Sequence, residues 1–301
     1  MATKTSLLGL TKPAYTEAAD IAVLNTNFDL IDKAVGQGAR VQNLLDNSWF
    51  GIPIAQAGRN GMHGSTKYVC DRWVSWDADA TFANGCITPG SPIDQRIDPN
   101  MVSMDKTYTV AFCLSDGTIK AASGTLRNGA GSYNFGIHAI ADASHVRVRL
   151  MTGFEIRWAA LYEGTYTAET LPAYVYKGYA AELAECQRYY ENSWCGGTAA
   201  SVTRQFMGLN ISAGQGDCYV QFMTPKAKVA TINFYKAGST STESVWDIYR
   251  GHYYDVTVEN LGRDGRNGFV IRFTKTDADP TTWAAWETVP LRGHWEASAD
   301  L

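Results

Sequence analysis

The first forty residues carry the hydrophobic pattern of a short amphipathic helix. Asp20 is a candidate N-cap, and Gly36-Gln37-Gly38 marks a helix end after about Val35. The apolar side chains recur at alternating steps of three and four residues: Ile21, Leu24, Phe28, Ile31 and Val35. This spacing is the narrow seam of a coiled coil. Two heptads are too short to be stable alone, so the seam needs either a second copy of the chain or the next domain as its partner.

From residue 44 to about residue 174 the hydrophobic period changes to two, which predicts β-strands. The segment Val146-Arg147-Val148-Arg149-Leu150 alternates strictly, so one face of this strand is dry and the other is wet. The predicted strands are 68–76, 107–114, 118–126, 134–140, 146–150 and 154–162. Three turn signals separate strands: Asn84-Gly85, Asp116-Gly117 and Asn128-Gly129. Many short strands joined by such turns predict a β-sandwich.

A second β-rich stretch follows a short helix. Residues 179–190 combine good helix formers with apolar residues at helical spacing. Pro172 and Gly178 flank this junction and indicate a domain boundary near residue 175. The predicted strands are 202–209, 216–223, 228–235, 253–258, 268–274 and the weaker 281–287. The prediction is a mainly β fold: an N-terminal arm and coiled-coil helix (1–43), a first β-sandwich (44–175), and a short helix with a second β-sandwich (176–301).

Composition narrows the class of protein. The 301 residues are 45% hydrophobic and 12% aromatic but only 19% charged, and the net charge is −4. These values argue against a disordered chain and against a broad basic surface for nucleic acid or anionic lipid. No apolar run approaches the roughly 18 residues of a membrane span, and no signal-peptide core is found near the start. The six cysteines show no zinc spacing, and Cys113 and Cys218 are predicted to be buried apolar residues of strands.

The motifs of common enzymes are missing from the sequence. It contains no Gly-x-Ser-x-Gly, no P-loop and no metal-binding spacing of its five histidines, so no catalytic residue is assigned. No cofactor is expected. Asp77-x-Asp79 and Asp277-x-Asp279 offer oxygen ligands that Ca²⁺ could take, although solvated turns use the same residues. A glycoside hydrolase needs two carboxylates flanking a bond, and thirty acids always permit some pair.

Aromatic residues near the C-terminus are the stronger candidates for function. Sugar rings present flat C–H faces that stack on Trp and Tyr, while charged and amide groups bind the hydroxyls. The candidate glycan-binding residues are Trp246, Tyr249, Arg250, Tyr253, Trp283 and Trp286. By contrast, Trp73, Trp76 and Trp158 are predicted to be core residues of the first sandwich.

Three segments resemble proteins of phage tails. Residues 8–14 and 20–32 resemble the N-terminal attachment segment of bacteriophage tail-fibre and baseplate proteins. Residues 43–48, followed by Pro53, Gln56, Gly58 and residues 71–73, resemble the opening of a carbohydrate-binding jelly roll of such fibres. Residues 158–190 resemble a junction found in these proteins, with Tyr176 where proline is usual. Together these segments cover about the first two thirds of the chain.

This resemblance implies a homotrimeric tail-fibre or receptor-binding protein of a phage or prophage. Residues 1–43 would trimerise and join other tail or baseplate proteins, and residues 176–301 would be the tip that binds a bacterial surface glycan. Such a virion protein is assembled in the host cytoplasm and acts outside the cell, without inserting into a membrane or binding nucleic acid. The resemblance therefore implies a binding protein and not an enzyme. Two alternatives stay open: a fibre-borne glycan hydrolase or depolymerase, and a purely structural baseplate component.

Overall fold

The fold of the computed structural model is mainly β, with antiparallel sheets, as the period-two patterns predict. The structure describes residues 3–4, 10–12, 20–38, 42–98, 100–103, 106–125, 137–141, 146–194, 204–212, 214–236, 244–248, 251–260, 265–274 and 286–299. Within these ranges the helices are α1 (Ile21–Gly38) and α2 (Tyr179–Gln187). The strands are β1 (Thr3–Lys4), β2 (Thr11–Lys12), β3 (Met62–His63), β4 (Thr66–Cys70), β5 (Trp73–Ser75), β6 (Ala80–Ala83), β7 (Cys86–Pro89), β8 (Ile93–Ile97), β9 (Thr107–Leu114), β10 (Ile119–Thr125), β11 (Ile137–Ala141), β12 (Val146–Leu150), β13 (Ile156–Glu163), β14 (Tyr190–Asn192), β15 (Arg204–Ser212), β16 (Gln215–Gln221), β17 (Thr231–Lys236), β18 (Ser244–Asp247), β19 (His252–Asn260), β20 (Gly268–Thr274) and β21 (Thr288–Ser298). Neither helix is long and apolar enough to cross a membrane.

The helix α1 begins where the sequence predicts. Asp20 Oδ1 accepts a hydrogen bond of 2.9 Å from the backbone N–H of Ala22, which confirms the N-cap. The Asn27 side chain exchanges two hydrogen bonds of 2.9 Å with the backbone of Thr11, so the β1–β2 arm is fixed against the helix. Four seam residues are exposed: Ile21, Leu24, Phe28 and Ile31. The side chain of the fifth, Val35, lies outside the described residues.

Two antiparallel sheets between residues 62 and 163 share one hydrophobic core. The order of the first sheet is β10-β9-β13-β7-β6, and that of the second is β11-β12-β8-β5-β4-β3. Both sheets supply fully buried side chains to this core, among them Trp73, Phe112, Val148 and Leu161. The predicted alternation of β12 is confirmed, because its three apolar residues are buried whereas Arg147 and Arg149 are partly exposed.

The turns of these sheets follow the local sequence signals. Asn84 and Gly85 both have positive φ values, 52° and 74°, and join β6 to β7 in a two-residue hairpin. Gly117 has a φ of 87° between β9 and β10. The single predicted strand at 68–76 is wrong, because Arg72 adopts a φ of 73° and reverses the chain between β4 and β5. The turn predicted at 128–129 lies outside the described residues.

Six described strands between residues 204 and 298 form a closed barrel where the sequence predicts a second β-sandwich. The chain of pairs runs β15-β16-β20-β19-β18, and β21 pairs with both β15 and β18, which closes the ring. The second half of β21 extends beyond the ring and pairs with β14 and β17. Fully buried side chains inside the barrel include Val245, Phe269, Phe273 and Leu291. Closure removes the free edges that a sandwich would leave.

Other boundaries also differ from the prediction. Helix α2 ends at Gln187, and Tyr190 begins β14, because the last residues of the predicted helix pair with the end of β21. The segment around Trp246, for which the sequence analysis predicts no strand, is strand β18. The predicted strand at 281–287 precedes β21, and its residues 281–285 lie outside the described residues.

The described cysteines are buried free thiols. Cys113 lies in β9 and Cys218 in β16, which confirms their prediction as buried strand residues. Burial raises the pKa of Cys218 to about 11, so this thiol is neutral and unreactive at neutral pH.

Candidate functional site

A cleft of about 440 Å³ lies on the outer face of the second sheet. Strands β4, β5, β8 and β12 supply most of its lining, and Ser298 at the end of β21 adds a contribution from the barrel side. The volume is in the range of pockets that bind small molecules. The cleft is therefore the candidate site of this protein.

The register of three strands decides which charges meet in the cleft. Arg147 of β12 lies opposite Arg96 of β8, and Arg149 lies opposite Asp94. Asp94 in turn lies opposite Val74 of β5. Because side chains alternate along a strand, the residues between these positions face the core and these face outward. The pairing thus aligns two arginines directly across from each other.

Trp76 is exposed at the cleft, although the sequence analysis predicts it to be a core residue. Its relative exposure is 59%, whereas Trp73 and Trp158 are buried as predicted. Trp73 and Trp76 are three positions apart, and an odd offset along extended chain places side chains on opposite faces. The Trp76 indole Nε1 donates a hydrogen bond of 2.9 Å to Asp94 Oδ2, which fixes the orientation of the ring.

Asp94 holds both arginines of β12 as well as the indole. Arg149 donates to its two carboxylate oxygens at 2.7 and 2.9 Å, and Arg147 Nη1 lies 3.3 Å from Oδ2. The hydrogen bond to Asp94 raises the pKa of Arg149. The Arg149 guanidinium also lies 4.2 Å from the centroid of the Trp76 ring. One carboxylate therefore contacts the indole and both arginines of β12.

Arg72 places a positive charge at the side of the cleft, where its contacts hold the side chain in one orientation. Its side chain is buried, and its Nε lies 3.2 Å from Asp46 Oδ2. Its Nη2 donates to the carbonyl oxygen of Arg96 at 2.6 Å, and its guanidinium lies 3.5 Å above the Tyr189 ring. These contacts connect the cleft to the segment that follows α2.

His63 lines the cleft and lies in a stack of rings. Its centroid is 3.9 Å from that of Tyr68 and 3.5 Å from that of Tyr190, with nearly parallel planes. Gln56 adds a second connection, because its Nε2 donates to the carbonyl oxygen of Tyr190 at 2.7 Å. The second sheet and strand β14 are thus held together beside the site.

Comparison of the chain with protein-family models, curated proteins and solved structures finds no match. The resemblance to phage tail proteins consequently stays a hypothesis.

Two of the predicted glycan-binding residues meet on the barrel. Trp246 of β18 and Tyr253 of β19 are cross-strand partners, and their ring centroids are 4.7 Å apart. Lys236 Nζ lies 3.8 Å from the centroid of the Tyr253 ring. Trp286 is 72% exposed and has a φ of 66°. Tyr249, Arg250 and Trp283 lie outside the described residues.

Among the described residues, the suggested calcium ligands Asp77 and Asp79 belong to no cluster of His, Cys, Asp or Glu side chains that could hold a metal ion. Asp79 pairs with Lys67, and Asp277 and Asp279 lie outside the described residues. In the part of the chain that the structure describes, no group of three or more His, Cys, Asp or Glu side chains could hold a metal ion.

Proposed function

We propose that this chain binds a bacterial surface glycan in the cleft beside Trp76, as the receptor-binding protein of a phage or prophage tail. The observation that carries the proposal is the exposed indole, oriented by Asp94 next to a cleft lined with guanidinium groups. A sugar ring stacks its C–H face on such an indole, while arginine and aspartate bind its hydroxyls.

The charges of the cleft favour binding over hydrolysis. A glycoside hydrolase places two carboxylates on either side of the bond that it cleaves. Among the described residues that line the cleft, Asp94 is the only acid, and Arg149 occupies both of its oxygens. We therefore prefer a binding protein to a depolymerase.

The architecture supports the same proposal. Two antiparallel sheets around one core fit a jelly-roll sandwich of the carbohydrate-binding type, with the cleft on its outer face. The exposed seam of α1 fits a coiled coil of three copies, and the arm before it fits attachment to other tail or baseplate proteins. Three copies would raise the overall avidity for a surface that carries many identical glycans.

We expect Trp76→Ala to lower the affinity for envelope glycans about 30-fold, which is typical of a tryptophan at a binding hot spot. Folding should be unaffected, because the ring is 59% exposed. The measurement is binding of the full chain to an array of bacterial envelope glycans and to whole cells. Trp246→Ala and Tyr253→Ala are the matched controls on the barrel. Binding that survives Trp76→Ala but is lost in either control would transfer the site to the barrel.

We expect the chain to form a trimer of about 99 kDa from subunits of 32.9 kDa. Phe28→Asp should yield monomers, because a charge cannot be buried in the α1 seam. Asn25→Asp adds the same charge to an exposed position off the seam and should leave the trimer intact. Light scattering after size exclusion measures both. A monomeric parent chain would contradict the coiled coil.

A structural baseplate component is the remaining alternative. It would bind none of the envelope glycans, and neither Trp76→Ala nor the barrel substitutions would change its behaviour on the array. The glycan-array experiment therefore decides between the two functions.

A further inference from the structure

We propose that the cleft selects glycans that carry an anionic group, a carboxylate or a phosphate, and that this group binds between Arg96 and Arg147. The inference rests on the proposed function, because it names the class of glycan that the cleft takes.

The first argument is the cross-strand pair of like charges. Arg147 and Arg96 lie directly opposite each other and both line the cleft. Like charges in this position destabilise a sheet. Among the described residues that line the cleft, Arg72, Arg96 and Arg147 are cationic and Asp94 is the one acid, while Asp46, outside this lining, pairs with Arg72. This local excess of positive charge occurs in a chain whose net charge is −4.

The second argument is the incomplete hydrogen bonding of Arg147. Both carboxylate oxygens of Asp94 accept hydrogen bonds from Arg149 in fork geometry. Arg147 Nη1 contacts one of these oxygens at 3.3 Å. The Nε of Arg147 is buried and finds no hydrogen-bond partner among the described residues. Leaving such a donor without an acceptor is costly. A carboxylate or phosphate in the cleft would give the partly exposed Arg147 guanidinium an acceptor of its own, since guanidinium groups bind both in fork geometry.

The third argument is the position of the indole relative to this donor. The Arg147 guanidinium lies 5.7 Å from the centroid of the Trp76 ring. One sugar residue bridges such a distance, so its ring could stack on Trp76 while its acidic substituent reaches Arg147. Stacking would then provide affinity for sugars in general, and the arginine pair would provide selection for acidic ones.

The experiment compares matched probes by calorimetric titration of the full chain. The probes are fragments of a uronic-acid polysaccharide, the same fragments with their carboxyl groups reduced to alcohols, and a glycerol phosphate oligomer. We expect either the uronic-acid or the phosphate probe to bind at least about tenfold more tightly than the reduced fragments. Which of the two binds identifies the source of the anion. The preference should weaken with added salt.

Arg147→Gln should remove this preference and leave the affinity for the reduced fragments unchanged. Lys106→Gln is the matched control, because it removes one positive charge from an exposed residue immediately before β9. The control should keep the parent preference. Since Arg147 is partly exposed, the variant should fold, which circular dichroism checks.

The outcomes separate the two proposals. If binding requires Trp76 but does not distinguish acidic from reduced fragments, the anionic selection is overturned and the proposed glycan binding is not. The same holds if Arg147→Gln and Lys106→Gln change the preference equally. Absence of binding to every probe and to every glycan of the array overturns both.

Discussion

Lys226→Met should lower the free energy of unfolding by about 3–5 kcal/mol, as expected when one partner of a buried ion pair is removed. The Lys226 side chain is fully buried, and its Nζ donates to Glu191 Oε2 at 2.6 Å and to the carbonyl oxygen of Gln187 at 2.5 Å. Burial lowers the pKa of Lys226, and Glu191 acts in the opposite direction. Among the described residues, methionine would leave the buried Glu191 carboxylate with the backbone N–H of Met223 as its one remaining donor. Urea denaturation followed by circular dichroism measures the loss.

Two further variants make this prediction specific. Lys226→Met combined with Glu191→Leu should recover most of the stability, because no uncompensated charge then stays buried. Lys228→Met removes the same kind of charge from an exposed position and should change the stability by no more than about 0.5 kcal/mol. A loss below about 1 kcal/mol for Lys226→Met alone would show that the pair is not buried as described.

Short-range patterns were sufficient for the strands that have clear flanking signals. The predicted bounds of β9, β12 and β20 coincide with those of the structure. In β12 the alternation of valine and arginine determines which face is wet without any knowledge of the neighbouring strands. The Asn84-Gly85 hairpin follows from a conformational preference of two residues.

The closed barrel could not be predicted in this way. Its closure depends on β21, which pairs with strands on both sides and is buried along most of its length. A strand covered on both faces shows no alternation, and Pro290 and Gly293 interrupt its β-propensity. Gly293 is required there, because a Cβ atom would collide with the Phe234 ring. Closure is a property of long-range pairing, which single-strand patterns do not contain.

The candidate site was predictable only in part. The wet face of β12 was predicted, but its partner Asp94 is about fifty residues away in sequence, and only the register of β8 and β12 brings it to Arg149. The exposure of Trp76 could have been predicted, because Trp76 is three positions from the buried Trp73 and an odd offset along a strand places two side chains on opposite faces. Aromatic content directed that analysis to the barrel instead, where Trp246 and Tyr253 do meet.

Glu296→Leu should destabilise the protein by about 3 kcal/mol, because it leaves four hydrogen-bond donors without this acceptor, and one of them, the Tyr190 hydroxyl, is buried. Glu296 is buried in β21 and accepts hydrogen bonds from Tyr190 Oη at 2.9 Å and from Asn233 Nδ2 at 2.9 Å. It also accepts from the hydroxyl of Tyr235 and, at 3.1 Å, from the backbone N–H of Gly64. Chemical denaturation of the variant measures the loss.

The contact between Glu296 and Gly64 extends this prediction to the site. Gly64 lies in the turn between β3 and β4, next to His63 in the cleft lining, so the carboxylate connects the barrel to the cleft wall. Glu296→Leu should therefore weaken glycan binding under conditions in which the variant is still folded. Glu155→Leu replaces an exposed acid immediately before β13 and should alter neither property. If Glu296→Leu is as stable as Glu155→Leu, the carboxylate does not hold the barrel and the second sheet together.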